Sequence, residues 1–164
     1  MTVLVNNPVA GFGARNYANL FDTTSQTNAG ATSANVMTIN TTDIANGVSV
    51  VAGSRITIAN PGVYNLQFSS QFTRPGGAGF STIQVWVRKN GVDSDGSSGI
   101  FNVPQSGGAV VASWDYMYNV SAGDYFEFVW YSADTTVVMS ASAAGTNPTR
   151  PTTPSVAVTV QQVA

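Results

Sequence analysis

The chain contains no cysteine and no histidine. Without cysteine it can form no disulfide bond and offers no thiolate to a metal or a substrate. Without histidine it cannot build a nucleophile–histidine–acid triad, and zinc loses both of its favoured ligand types. The two absences remove the commonest catalytic and metal-binding arrangements. We therefore expect a protein that is not an enzyme and that uses no cofactor and no metal.

Charge is also scarce. Charged residues make up 9% of the 164 residues, against about 25% in an average soluble domain. The net charge is −2, and the six lysine and arginine residues are spread along the chain. No basic patch is available to neutralise several phosphates or to hold the chain on an anionic membrane, so we expect neither nucleic acid nor membrane as a partner.

Long hydrophobic runs are missing as well. No stretch approaches the roughly 20 apolar residues that span a bilayer. The first residues, MTVLVNNPVAGFGARN, lack the charged start and apolar centre of a secretory signal. We expect synthesis in a cytoplasm.

The chain has instead a repeated alternation of apolar and polar residues. In residues 62–74 aromatic and aliphatic side chains alternate with amides and hydroxyls, and in residues 81–89 isoleucine and valine alternate with polar residues. A period of two predicts β-strands with one buried face. Turn signals separate the strands, above all Asn60-Pro61-Gly62 and Asn90-Gly91. Further strands are predicted at 36–41, 48–51, 56–58, 110–120, 125–131, 137–143 and 156–160.

These signals predict an all-β fold, an antiparallel two-sheet sandwich of about ten strands with no helix. The segment 125–131 is unusual because it is apolar on both faces. Phe126, Phe128 and Trp130 lie on one parity, and Tyr125, Val129 and Tyr131 on the other. A sandwich strand needs only one apolar face, so we expect another copy of the chain to cover the second.

Three local patterns suggest chemistry, and each has a simpler explanation. Asp93-Ser94-Asp95-Gly96 is weakly similar to a calcium loop, but the expected later acid is missing and a solvated hairpin loop explains it. The tryptophans Trp86, Trp114 and Trp130 could form a sugar-stacking platform, although tryptophans of a sandwich more often belong to its core or to an interface. A pair of carboxylates for glycoside hydrolysis could come from Asp93, Asp95, Asp115, Asp124, Glu127 and Asp134.

The order of the motifs resembles the jelly-roll domain of the tumour necrosis factor and complement globular-head superfamily. The resemblance rests on NPGVYNLQF at 60–68, RKNG at 88–91, SAGDYFEF at 121–128 and the terminal valine strand. The chain also looks like small virion proteins of tailed bacteriophages that carry this domain, in the stretches SADTT at 132–136 and AAGTNPTRP at 143–151.

The resemblance implies a jelly-roll domain over residues 19–164 that forms a compact homotrimer, preceded by an arm or edge segment at 1–18. Tyr64, Leu66 and Phe68 would lie in the core. The implied trimer interface comprises Asn65, Gln67, Ser69, Val129, Tyr131, Thr159 and Gln161. The arm would dock on a capsid through Val3, Leu4, Val5, Pro8 and Phe12.

We therefore expect a structural protein of a phage virion, a trimeric decoration or cement protein on the capsid exterior. Its partners would be further copies of itself and the major capsid protein. The alternative is a head-fibre or tail-tip domain that binds a host surface glycan or protein through the loops 74–80, 93–99 and 147–154. A third possibility is a polysaccharide-degrading enzyme of the same architecture.

Overall fold

The computed structural model describes residues 15–164. The predicted docking residues of the arm, Val3, Leu4, Val5, Pro8 and Phe12, lie outside the described residues. The described part contains sixteen strands and no helix, and ten of the strands have four or more residues. The strands are β1 (Tyr17–Asp22), β2 (Gln26–Thr27), β3 (Asn35–Val36), β4 (Thr41–Asn46), β5 (Val48–Val51), β6 (Arg55–Ile58), β7 (Gly62–Arg74), β8 (Ser81–Lys89), β9 (Val92–Asp93), β10 (Gly99–Val103), β11 (Gly108–Val120), β12 (Tyr125–Tyr131), β13 (Val138–Met139), β14 (Gly145–Thr146), β15 (Thr149–Arg150) and β16 (Val156–Gln162).

The strands form two antiparallel sheets that enclose one core. Sheet A has the order β4-β1-β16-β7-β11, with β13 and β2 added beside one end of β7. Sheet B has the order β5-β6-β12-β8-β10, with β3 beside β12 and β9 beside β8. A small hairpin of β14 and β15 stands apart. The predicted all-β, antiparallel two-sheet fold is confirmed.

The core is formed where the alternation of β7 meets that of β8 and β12. Tyr64, Leu66 and Phe68 are fully buried, as predicted, while the polar residues between them face outward. The Phe68 ring lies 5.0 Å from that of Phe128 on the opposite sheet. Contacts of this kind between aromatic rings fix the spacing of the two sheets.

Several predicted boundaries change. β1 begins at Tyr17, so sheet A includes Tyr17 and Ala18 of the predicted arm. The predicted strand at 137–143 shrinks to the two residues of β13, and that at 36–41 is replaced by the end of β3 at Val36 and the start of β4 at Thr41. The Asn90-Gly91 turn is confirmed: both residues have positive φ, 52° and 80°, which a two-residue hairpin of this type requires.

Strand β12 is covered within its own chain. Phe126, Phe128 and Trp130 point into the core. On the outward face Val129 is 0% exposed, because it lies between Trp86 of β8 and Val36 of β3. No second copy is therefore needed to cover Val129, whereas Tyr125 and Tyr131 at the two ends of this face are half-buried, and their cover by a second copy stays a prediction.

One end of the sandwich is closed by a buried arginine. Arg74, 7% exposed, ends β7 and pairs with Asp134 at 2.6 Å. Its Nη1 atom also donates to the backbone carbonyls of Ala78 and Gly79. Arg74 thereby fixes residues 75–80, which carry the chain from sheet A to sheet B.

Candidate functional site

The outward face of sheet A gathers most of the predicted interface. Five of the seven predicted residues lie on it, since the register places Gln161 opposite Asn65 and Thr159 opposite Gln67. We call this set the amide patch; its members are Asn65, Gln67, Ser69, Thr159 and Gln161. The side chains of Gln67, Thr159 and Gln161 make no hydrogen bond to any residue within 15–164. Their donors and acceptors are free for a partner.

Val129 and Tyr131 do not join the amide patch. Both lie on β12, which belongs to sheet B, and their side chains point away from sheet A. The structure therefore separates these two residues from the other five, and their place in a trimer interface stays a prediction.

Apolar side chains border the amide patch on both sides. Val111 and Met117 of β11 are each 56% exposed, and Tyr17 of β1 and Ile44 of β4 are exposed on the other side. The register places Met117 opposite Asn65, and Ile44 opposite Asn19. An exposed face with an apolar border and a polar centre is suited to a broad contact with another protein.

A second feature is the open edge, where β10 of sheet B and β11 of sheet A run side by side without a shared hydrogen-bond ladder. Four aromatic side chains fill the space between the two strands, each only partly buried. These are Phe101, Trp114, Tyr116 and Tyr118. The Trp114 ring lies 5.3 Å from that of Phe68, so these side chains are in contact with the core.

The loop 94–98 lies over the open edge and accepts hydrogen bonds from two tyrosine side chains of β11. The Tyr116 hydroxyl donates to the Ser97 carbonyl, and the Tyr118 hydroxyl donates to the Ser94 hydroxyl at 3.1 Å. Burial raises the pKa of Tyr116, so the phenol stays protonated and able to donate. Ser97 is itself buried and bonded to the backbone of Val87. The loop is therefore an ordered wall.

The third feature is a groove on the outward face of sheet B. Its floor is formed by Gln84 and Trp86 of β8 and by Tyr131 of β12. One part, of about 340 Å³, is bordered by the loop from Asp93 to Ser98, and a second part, of about 270 Å³, is bordered by Phe80 and residues 132–134. Both parts share Gln84 and Tyr131. We call the whole the aromatic groove.

Hydrogen bonds fix the walls and floor of the aromatic groove. The Trp86 indole N–H donates to Asp93 Oδ1 at 2.8 Å, and Arg88 Nε donates to the same oxygen at 3.0 Å. Gln84 donates to Ser98 Oγ at 2.7 Å. The bond from Trp86, followed by that from Arg88, lowers the pKa of Asp93. The carboxylate is thus ionised at neutral pH and orients the indole ring.

Sequence reasoning missed the aromatic groove. A signal was present, because Gln84 and Trp86 share the outward parity of β8, and Tyr131 has the outward parity of β12. Periodicity does not show that Tyr131 lies opposite Gln84. The three tryptophans do not form a platform, since Trp130 is buried in the core and Trp114 lies at the open edge.

Most of the candidate carboxylates have structural partners. Asp124 pairs with Lys89 at 2.8 Å, and Glu127 accepts from Ser54 and lies 3.7 Å from Arg55. Asp134 accepts from Arg74, Ser81 and Thr136. Hydrogen bonds from Lys89 and then Asn90 lower the pKa of Asp124 to about 2, and those from Ser81 and then Thr136 lower the pKa of Asp134. A general acid needs the opposite displacement.

Two further observations concern the described residues as a set. Within 15–164 no group of three or more histidine, cysteine, aspartate or glutamate side chains could hold a metal ion. The same residues include no helix long and apolar enough to cross a membrane.

The fold and these surfaces define a class, an all-β antiparallel sandwich with an amide-rich outer face on one sheet and a groove on the other. No protein-family model matches the chain, and no curated protein matches it in sequence.

Proposed function

We propose that the protein is a homotrimeric jelly-roll component of a phage virion that decorates the capsid exterior. The observation that carries the trimer is the outward face of sheet A, where amides without partners lie between exposed apolar side chains. The place in a virion rests on the resemblance to phage virion proteins together with the weakly charged composition.

The strand order supports the jelly roll. The chain passes repeatedly between the sheets: β7 lies in sheet A, β8 in sheet B, β11 in sheet A and β12 in sheet B. The first and last long strands, β1 and β16, pair at the centre of sheet A. Such alternation, with first and last strands adjacent, is typical of the jelly-roll class.

Two different surfaces support a ring of three. A cyclic trimer has heterologous contacts, so each copy must offer two unlike patches that fit one another. The outward face of sheet A is one such patch. The open edge between β10 and β11 is the other, since its aromatic side chains are only partly buried by their own chain. Packing the edge of one copy on the face of the next would cover both.

Attachment to the capsid would then be threefold. Each copy contributes its own contact with the major capsid protein, and three linked contacts bind far more strongly than one because the second and third form at high effective concentration. A shell bridged in this way resists heat and osmotic shock.

The test of the trimer compares one substitution on the two faces. Gln67→Lys places a charge in the middle of the amide patch, whereas Gln84→Lys places the same charge on sheet B. Light scattering with size-exclusion chromatography should give three times the 17.0 kDa chain mass for the native protein and for Gln84→Lys, and a monomer for Gln67→Lys. A native protein that stays monomeric at high concentration would rule out the trimer.

The place on the capsid is tested on intact particles. A decoration protein should be present in hundreds of copies, and particles that lack it should lose DNA at a lower temperature. Particles that carry only a few copies, or whose shell withstands heat equally well without the protein, would contradict a cementing role.

Host recognition remains the alternative, and the aromatic groove favours it. Of the three predicted contact loops, 93–99 forms one wall of the groove and 74–80 contributes Phe80, whereas 147–154 takes no part in its lining. If this alternative holds, the purified native protein should compete with particles for adsorption to host cells, and a groove variant should not.

A further inference from the structure

We propose that the aromatic groove binds an uncharged glycan chain. Trp86 and Tyr131 are both half-buried and face outward on neighbouring strands. Both rings line the same part of the groove, and Gln84, which lies opposite Tyr131, is also on its floor. The face of an aromatic ring is electronegative, and the C–H face of a sugar ring is apolar and slightly positive. The two kinds of face pack together.

The groove is ready for a ligand before one arrives. The Trp86 ring is oriented by Asp93, and Gln84 is held by Ser98. The wall that carries these partners is fixed from inside the sandwich by Tyr116, whose hydroxyl donates to the Ser97 carbonyl. Side chains that are already ordered lose little entropy on binding, and this favours weakly interacting ligands such as sugars.

The groups left free in the groove are mainly hydrogen-bond acceptors. Asp95 and the Tyr131 hydroxyl have no partner within residues 15–164, and Asp93 uses only its Oδ1 atom. A ligand that satisfies them must bring several donors close to an apolar surface. Sugar hydroxyl groups do this, since each can donate and accept and several lie around one ring.

The charges in the groove disfavour an anionic chain. Asp93 and Asp95 face it, and Arg88 pairs with Asp93, so one carboxylate is left uncompensated. Uronate polymers and nucleic acids would be repelled. The choice therefore falls on an uncharged glycan.

A peptide is disfavoured by the position of the groove. A peptide that binds by adding a strand needs a free sheet edge, but this groove lies across the paired strands β8 and β12, whose backbone groups bond each other. The two parts, about 340 and 270 Å³, adjoin at Gln84 and Tyr131 and together fall in the size range of small-ligand sites. The groove thus accommodates more than one sugar residue of a chain.

The experiment uses the native full-length protein and an array of uncharged bacterial and plant polysaccharides, with polygalacturonate and poly-L-lysine as charged probes. Hits are titrated by isothermal titration calorimetry, because its signal does not depend on Trp86 and the Trp86 variant can be measured in the same way. We expect binding of at least one uncharged glycan, weakened about tenfold or more, equivalent to about 1.4 kcal/mol, by Trp86→Ala or Tyr131→Ala.

Two further variants make the result decisive. Tyr125→Ala removes an outward aromatic residue of the same strand that does not line the groove, and it should bind like the native protein. Ala133→Trp fills the groove from its exposed rim without removing a described side-chain hydrogen bond, and it should abolish binding even if Trp86→Ala fails to fold.

Failure of the native protein to bind any uncharged glycan would overturn the proposal, as would preferential binding of polygalacturonate or poly-L-lysine. Equal loss in Tyr125→Ala and Tyr131→Ala would also overturn it, because the effect would not come from the groove. The binding measurement needs neither a capsid nor a trimer. A protein that binds no glycan could still decorate a capsid, and a protein that binds a glycan could still fail the trimer and capsid tests.

Discussion

The two outward faces of the sandwich differ in how their polar groups are used. On sheet A, Gln67 and Gln161 have no hydrogen-bond partner within residues 15–164. On sheet B, the polar side chains bond each other, as in the pair of bonds that Trp86 and Arg88 donate to Asp93. A flat face with free amides is suited to a broad protein contact, whereas a face with fixed side chains and walls is suited to a small ligand.

The difference arises from the connections. Within residues 15–164 no segment crosses the outward face of β1, β16 and β7, whereas the segment after β8 turns back over sheet B through the short strand β9 and the loop 94–98. Sheet B therefore has a wall on its outward face because the chain between β8 and β10 folds back over that sheet. Substitutions that disturb this contrast should differ in how far they destabilise the protein.

Arg74→Ala should have the largest effect on stability. Arg74 is 7% exposed, pairs with Asp134 and donates to the carbonyls of Ala78 and Gly79, so its removal takes the charged partner from Asp134 and leaves these two carbonyls without their donor. We expect the free energy of unfolding in urea to fall by about 3–5 kcal/mol.

The matched control is Arg88→Ala, which breaks the ion pair with Asp93 on the outward face of sheet B. The Asp93 side chain of this pair is 61% exposed, so the loss should stay below about 1 kcal/mol. Similar losses of unfolding free energy in the two variants would contradict the prediction, because the exposed pair of Arg88 and Asp93 would then stabilise the protein as much as the buried Arg74.

Gly99→Ala should have the next largest effect, at the open edge between the two faces. A Cβ atom at this position would lie 2.6 Å from Cζ2 of Trp114, so the indole must move. Overpacking of this kind costs about 1–3 kcal/mol. Urea unfolding together with near-UV circular dichroism would measure both the loss and the displaced ring.

Gly76→Ala provides the control, since nothing lies within 4 Å of the added methyl group. It should change the free energy of unfolding by no more than about 0.5 kcal/mol. An unchanged Gly99→Ala variant would show that the open edge is loose rather than packed.

Acid should weaken the protein through two carboxylates. The pKa of Asp124 is lowered to about 2 by hydrogen bonds from Lys89 and Asn90, and the pKa of Asp134 is lowered by those from Ser81 and Thr136. Both folded values lie below the ordinary value of 3.8. The stability they contribute is therefore complete above about pH 4 and is lost as the pH falls toward 2.

The measurement is the urea midpoint between pH 5 and pH 2. We expect a falling midpoint for the native protein and a shallower fall for Asp124→Asn. Asp95→Asn should follow the native curve, because Asp95 has no partner within residues 15–164. A urea midpoint of the native protein that rises as the pH falls toward 2 would contradict the prediction.

Much of the fold was predictable because strand periodicity is a local property. The burial of Tyr64, Leu66 and Phe68 follows from their spacing alone, and the Asn90-Gly91 turn follows from the conformations these residues tolerate. The amide patch could be predicted for the same reason: it consists of the residues between buried ones on β7 and β16.

What the sequence could not supply is the relation between strands. Whether β12 belongs to the sheet of β7 or to that of β8 depends on pairing over long distances in the chain, which periodicity does not encode. For this reason the sequence does not show that Val129 and Tyr131 lie on the other sheet from the amide patch, or that Val36 shields Val129. The aromatic groove was missed because its walls are loops.

The smallest effect is expected from Tyr116→Phe, which bears most directly on the contrast between the faces. The change removes one hydroxyl and its bond to the Ser97 carbonyl, at a cost of about 0.5–1.5 kcal/mol. We expect faster hydrogen exchange of the amides in 94–98 and a shifted Trp86 emission. Tyr17→Phe on sheet A, whose hydroxyl has no partner within residues 15–164, should change neither. Amides of 94–98 that exchange as slowly in Tyr116→Phe as in the native protein would contradict this prediction. The loop would then be ordered by its own turn, and the order of the sheet B face would not depend on Tyr116.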